Sequence, residues 1–206
     1  NQFEAVSDLA VDAQDRLWVA DYMNNRVVRF DAPASGNNLP ANAVLGQPDF
    51  DSTGREYGPS VVGMASSLVI GTDGTLYVGD GTGRRVLRWK NAASLPNGAA
   101  ADGVLGRKDF TSTAEFGNSP AEWIGGVSRM GLDGEGRLWV ADGLHSRILR
   151  WDEVRTRANG APADGVLGAM EPGVVFQMPV AKGPFAATAV LEDRTTGKFF
   201  VADYAR

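Results

Sequence analysis

Leu17-Trp18-Val19-Ala20-Asp21 returns as Leu76-Tyr77-Val78-Gly79-Asp80, Leu138-Trp139-Val140-Ala141-Asp142 and Phe199-Phe200-Val201-Ala202-Asp203. The closing aspartates stand 59, 62 and 61 positions apart. A fixed period of this length means an array of like supersecondary units, each too small to bury its apolar faces alone. The quoted stretch also states its own geometry. Leu17 and Val19 point to one side of a strand, Trp18 and Ala20 to the other, and both sides are apolar. A strand of that kind belongs in a sheet covered on both faces.

Working outward, each copy is preceded by a short apolar strand: Leu9 to Asp12, Leu68 to Gly71, Met130 to Asp133 and Ala189 to Glu192. Turn residues join the two, Asp73-Gly74 in the second copy and Gly134-Glu135-Gly136 in the third; such residues tolerate the positive φ of tight hairpins. A third strand follows at Arg26–Phe30, Arg85–Trp89 and Arg147–Trp151. After a loop rich in Asn, Pro, Gly and Ala comes a fourth, at 43–46, 103–106 and 165–168. The predicted fold is all-β: a β-propeller of four-stranded antiparallel blades, with three full blades and half of a fourth. The units run 1–66, 67–127 and 128–185, each a blade with its connecting loop, and 186–206, the incomplete one. Residues 123–127 are the one place where a single helical turn is expected.

The pattern of apolar strand, turn, Leu-Trp-Val-Ala-Asp, four residues and Arg-Val-x-Arg-Phe resembles the NHL repeat, a family of propeller blades. The tails Val44-Leu45-Gly46-Gln47-Pro48-Asp49-Phe50 and Val104-Leu105-Gly106-Arg107-Lys108-Asp109-Phe110 resemble a bacterial, long-loop form of it. The resemblance implies a propeller. It leaves function open, since NHL propellers include protein binders, RNA binders and a lyase.

Composition narrows this. With 43% hydrophobic and 22% charged residues, the chain has the make-up of an ordinary globular domain. No apolar run approaches the ~20 residues that span a bilayer, so no membrane insertion is expected. Asp and Glu outnumber Lys and Arg, 25 to 20, a balance that opposes binding to nucleic-acid phosphates. There is no cysteine, which removes disulfides and thiolate metal sites. The lyase branch of the family needs several metal-binding histidines, and His145 is the only histidine here.

In a four-stranded meander the second-to-third-strand loops and the blade-to-blade connections share one face. That face carries residues 22–25, 81–84 and 143–146 and the long connections 51–66, 111–126 and 169–185. Variable loops on a rigid scaffold are where binding resides, so the candidate binding residues are Tyr22, Asn24, Arg55, Glu56, Tyr57, Glu122, Trp123 and His145. The repeated Asp21, Asp80, Asp142 and Asp203 read as structural, each pairing with the arginine five residues on (Arg26, Arg85, Arg147) or with backbone amides, because buried charge persists only when paired. A ring of carboxylates for a cation is the alternative. Arg29, Arg88 and Arg150 read as an inter-blade or solvated stripe, with an anionic-ligand surface as the alternative. Trp18, Tyr77, Trp139 and Phe200 read as inter-blade packing.

No catalytic set is visible and no cofactor is predicted, although calcium is possible. The fourth copy stops after its second strand, which predicts either a piece of a longer propeller or completion by self-association or a second chain. The expected function is a binding or scaffold module for a protein or other macromolecule, acting through the long-loop face, in an extracellular or periplasmic setting. The alternative is a metal-dependent hydrolase or lyase working in the central channel.

Overall fold

The structure is a computed structural model that describes residues 2–31, 36–112, 123–168, 187–193 and 195–203. Blade 1 is the antiparallel sheet β1 (Val6–Val11), β2 (Leu17–Asp21), β3 (Arg26–Phe30), β4 (Ala43–Leu45). Blade 2 is β5 (Ala65–Ile70), β6 (Leu76–Asp80), β7 (Arg85–Trp89), β8 (Gly103–Leu105). Blade 3 is β9 (Val127–Leu132), β10 (Leu138–Asp142), β11 (Arg147–Trp151), β12 (Gly165–Gly168), and β13 (Ala187–Asp193) pairs with β14 (Lys198–Asp203). The only helical segments among the described residues are 3-10 turns at Ala92–Ser94 and Gly143–His145. Residues 123–126 are not helical, contrary to the expected turn; Val127 already belongs to β9, and the preceding amides are spent on a carboxylate described below.

Register is identical from blade to blade. Asp21 lies opposite Arg26, Asp80 opposite Arg85 and Asp142 opposite Arg147. The first strand begins earlier than the apolar pattern indicates, because one residue bulges out of the ladder in each blade: Ser7, Ser66 and Ser128, with Thr188 in the fourth. A bulge flips the alternation, so the polar residue after it sits where the period of two expects an apolar one. First strands pack side by side, β1 on β5, β5 on β9, β9 on β13. A polar chain ties them together. Asp8 Oδ2 accepts from Ser67 Oγ (2.8 Å) and the Leu68 amide (3.0 Å), Ser67 Oγ accepts from the Met130 amide (3.1 Å), and Arg129 lies 2.9 Å from Asp8.

Blades are glued by the aromatic of the shared stretch. Trp18 is buried against Leu68, Leu76, Val78 and Trp89 of blade 2, Tyr77 against Met130, Leu138, Val140 and Trp151 of blade 3, and Trp139 packs on Val190 and Phe199. Truncating a ring buried in this way costs about 3–5 kcal/mol. The second arginine row staples the same seams. Arg29 donates to the Ala93 carbonyl of blade 2, and Arg88 donates to the carbonyls of Val154 (2.8 Å) and Arg157 (2.9 Å) of blade 3.

A third device covers the outer edge of the first two sheets. The amide of Val44 in β4 donates to Asn97 Oδ1 (3.1 Å), and its carbonyl accepts from the Gly98 amide (3.1 Å). Asn159 and Gly160 grip Val104 of β8 in the same way. Blades 2 and 3 thus each hook the strand edge of the blade before, satisfying groups that would otherwise recruit another strand. Gly98 has φ +70°, and a Cβ there would lie 2.7 Å from the Pro48 Cα, so only glycine fits. Gly98→Ala is expected to lower stability by about 1–3 kcal/mol in urea denaturation.

The first turns of blades 1 and 3 are capped alike. Asp12 Oδ2 accepts from Trp18 Nε1 (2.9 Å) and Arg16 Nε (2.7 Å), while its Oδ1 takes the amides of Gln14 and Arg16. Asp133 does the same for Trp139, Arg137 and the amides of Glu135 and Arg137. Burial opposes ionisation of both carboxyls, but the indole N–H, the guanidinium and the amides outweigh it and hold both below the usual carboxylate range. Their stabilisation is therefore complete above the unfolded value of about 3.9 and is lost as pH falls through the lower folded values. The Asp12→Asn/Asp133→Asn variant should be less stable than wild type near pH 7, and the gap should close below about pH 4; a pH-independent gap in urea titrations would contradict this.

Candidate functional site

The long-loop face is organised by one buried ion pair in each of blades 1, 2 and 3. Arg26 Nε donates to Asp21 Oδ2 at 2.9 Å, Arg85 to Asp80 at 2.8 Å and Arg147 to Asp142 at 3.1 Å. All six side chains are at most 5% exposed. The remaining carboxylate capacity goes to the backbone. Asp21 accepts the Glu4 amide, Asp80 the amides of Gly63 and Gly83, and Asp142 those of Gly125 and Gly126. The remaining guanidinium N–H groups turn outward and hold the blade-to-blade connection. Arg26 donates to the carbonyls of Phe50 and Gln2, Arg85 to those of Phe110, Gly58 and Val61, and Arg147 to that of Trp123. Asp203 closes β14 opposite Ala187.

The repeated Asp-Phe of the tails serves these clamps. Asp49 Oδ1 accepts the amides of Asp51 and Ser52, and Asp109 Oδ1 those of Thr111 and Ser112. Each closes a turn that presents the following phenylalanine carbonyl to the arginine. The hydroxyls and amides around Asp109, led by Ser112, hold its pKa down at about 2. Gly46 and Gly106 enter these turns at φ +82° and +77°.

The candidate residues occupy three successive corners of this face. Asn24 donates to both oxygens of Asp21 and to the Gln2 carbonyl. His145 takes the same position in blade 3, its Nδ1 lying 2.9 Å from Asp142 Oδ2, a contact that requires the proton on Nδ1 because a carboxylate only accepts. Blade 2 fills the position with the Gly83 amide. Tyr22 begins the turn that ends at Asn25, its carbonyl accepting the Asn25 amide. Arg55, Glu56 and Tyr57 are exposed, and the Arg85 guanidinium lies 5.8 Å from the Tyr57 ring centre. Trp123 stacks on Arg107 at 5.4 Å while its carbonyl holds Arg147. Glu122 lies outside the described residues. Trp123, Arg147, Asp142 and His145 are thus one connected group, and Tyr57 with Arg85 is another. Tyr22 and Asn24 stand at a separate corner.

Two buried side chains on this face escape the sequence reading. Gln47 donates to the carbonyls of Asn25 and Gly54 and accepts the Gly54 amide. Arg107 takes the same place in blade 2, where burial, with Arg84 nearby, pushes its pKa down. The signal is a change from amide to cation at one repeat position. Among the described residues, no three His, Cys, Asp or Glu side chains are grouped so as to hold a metal ion, and no helix is long and apolar enough to cross a membrane.

The family model of the NHL repeat matches residues 6–30, which span β1 to β3. Among solved structures the chain is similar to U3-55K and to the RRP9 WD40 repeats. Both align with a TM-score of 0.52 at 13% identity, over 82% of this chain and 41% and 40% of theirs. The chain therefore spans about two fifths of the length of each, and the likeness is one of fold. No curated protein matches it. The chain thus carries a match to the NHL repeat at residues 6–30, and the same strands in the same register recur in the two blades that follow, the arrangement of a β-propeller.

Proposed function

We propose that the chain is a binding module that takes a protein partner on its long-loop face. One observation carries this reading: the Asp–Arg clamps fix the corners of blades 1, 2 and 3 on that face, while the residues displayed around them differ from blade to blade. Arg55, Glu56 and Tyr57 project beside the blade 2 clamp, and Trp123 and His145 sit on that of blade 3. Rigid corners keep the entropic cost of association low, and varied charged and aromatic tips supply selectivity. The test is capture of partners on the immobilised chain, compared with the variant Arg55→Glu/Glu56→Lys. Both substituted residues are exposed, so melting should be unchanged. The reading requires that a partner retained by wild type be lost, and equal retention would count against it.

A second reading, assembly with another blade, is favoured by the first sheet. Leu9 is 58% exposed, whereas its counterparts Leu68 and Met130 are 2% and 6% exposed beneath the preceding blade. A cleft lined by Phe3, Val6, Leu9, Leu17, Val28 and Phe30 runs along this uncovered face. Asn37-Asn38 stands at the repeat position of the Asn97-Gly98 hook, with Asn38 at φ +56° against +70° for Gly98. The face thus carries the apolar set and the hook position by which blades 2 and 3 engage a neighbour, and a second copy of the chain would offer a blade that covers it. Light scattering should give a mass above that of a single chain, falling to the single-chain value for Leu9→Glu/Val11→Glu with its strand content kept. A stable, folded wild-type monomer would sink this reading.

A further inference from the structure

Blade 2 breaks the repeat on the opposite face, and the break opens a cleft. In blades 1 and 3 the indole of Trp18 or Trp139 is tied to Asp12 or Asp133, and that carboxylate to Arg16 or Arg137. The three equivalent positions of blade 2 are Tyr77, Gly71 and Thr75. The indole–carboxylate–guanidinium link is therefore absent, and the turn is held instead by Asp73, which accepts the Thr75 amide (3.0 Å) and hydroxyl (3.1 Å). Between blades 2 and 3 this leaves a cleft of about 420 Å³, within the range of small-ligand sites. The Tyr77 ring lines it together with Leu132 and Val154.

Two polar groups in the cleft have no work within the protein. Tyr77 is 2% exposed, and among the described residues its hydroxyl makes no hydrogen bond. The hydroxyl oxygen is not sealed from solvent, and the ring that carries it lines the cleft, so a ligand there can reach it. Burial, with Asp73 nearby, raises its pKa strongly, so the phenol stays neutral and keeps both donor and acceptor capacity. Glu153, at the rim, has no ion pair among the described residues and is held at φ +49°, a conformation its blade 2 counterpart fills with Asn91. The other charges are committed: Asp73 to Arg155 at 2.9 Å, and Glu135 and Asp133 to Arg137. The lining's four carboxylates face two guanidinium groups, Arg155 and the paired Arg137, an excess of negative charge that disfavours anions and favours cations.

We propose that this cleft binds a protonated primary amine on a short apolar stem, the stem lying on Tyr77, Leu132 and Val154 and the ammonium donating to Tyr77 Oη and Glu153. An ammonium carries three donors and no acceptor, which matches a rim of acceptors. The amine is either a free diamine or the lysine side chain of a partner. The site lies on the face of the β5–β6 and β9–β10 turns and does not depend on the long-loop face, so each proposal can fail without the other.

The experiment is calorimetric titration of the 206-residue chain with two probes, 1,4-diaminobutane and Nα-acetyl-lysine methylamide. Both should bind wild type. Tyr77→Phe keeps the ring and its packing, and should weaken binding about three- to tenfold. Glu153→Gln should weaken it by about tenfold or more. Asp15→Asn makes the same change in net charge on the exposed turn of blade 1 and should leave affinity unchanged. Tighter binding of the diamine identifies a free diamine as the ligand, and equal or tighter binding of the lysine derivative identifies a side chain. Absence of binding by either probe at about 10 mM, wild-type affinity in Tyr77→Phe or Glu153→Gln, or an equal loss in Asp15→Asn overturns the proposal.

Discussion

A carboxylate and a guanidinium taken out of water together are costly unless every remaining lone pair and N–H is met. This constraint organises the whole chain. Asp80 and Arg85 meet it by drawing in the amides of Gly63 and Gly83 on one side and the carbonyls of Gly58, Val61 and Phe110 on the other. Those partners come from the turn within the blade and from both flanking connections. One ion pair therefore fixes a hairpin corner and two crossings, and the loop face inherits its shape from the need to satisfy buried charge. Glycines at 63, 83, 125 and 126 follow from the same need. At Gly63, Gly83 and Gly125 an added Cβ would come within 2.7 Å of a neighbouring side chain.

The seams obey a different logic. Aromatic rings supply area, while Arg29 and Arg88 and the asparagine hooks supply direction. Rings alone would let neighbouring blades slide or rotate, since burial of area is non-directional. Hydrogen bonds from one sheet to named carbonyls of the next remove that freedom. The chain thus separates adhesion from alignment, and this is why Tyr77 can replace tryptophan at one seam without loss of register.

Much of the scaffold is legible in the residues themselves. The Leu-Trp-Val-Ala-Asp stretch gives the second strand to the residue, and the arginine five positions on marks its partner, because both lie at repeat positions and a hairpin of fixed length makes them neighbours. The start of β1 is hidden, since the bulge at Ser7 puts Asp8 where alternation expects an apolar side chain. The hooks are hidden for another reason. Asn97-Gly98 reads as loop chemistry, and its edge-capping role depends on a strand 53 residues away. Candidate residues such as Tyr57 and His145 are recognisable by type and by their break with the repeat. Their distribution over separate corners follows only from which amides the neighbouring aspartates recruit. The cleft beneath Tyr77 needed three departures to be read together, each unremarkable alone.

The hooks also bear on how the chain is made. The edge of β4 is capped by residues 53 positions later, and that of β8 by residues 55 positions later. At a synthesis rate of about 5–20 residues per second, each finished sheet waits roughly 3–10 s before its own lid emerges. During that interval an unpaired edge next to a half-covered apolar face is open to any nascent neighbour. A slow stretch of translation just ahead of Asn97 or Asn159 would lengthen the exposure, and a fast one would shorten it.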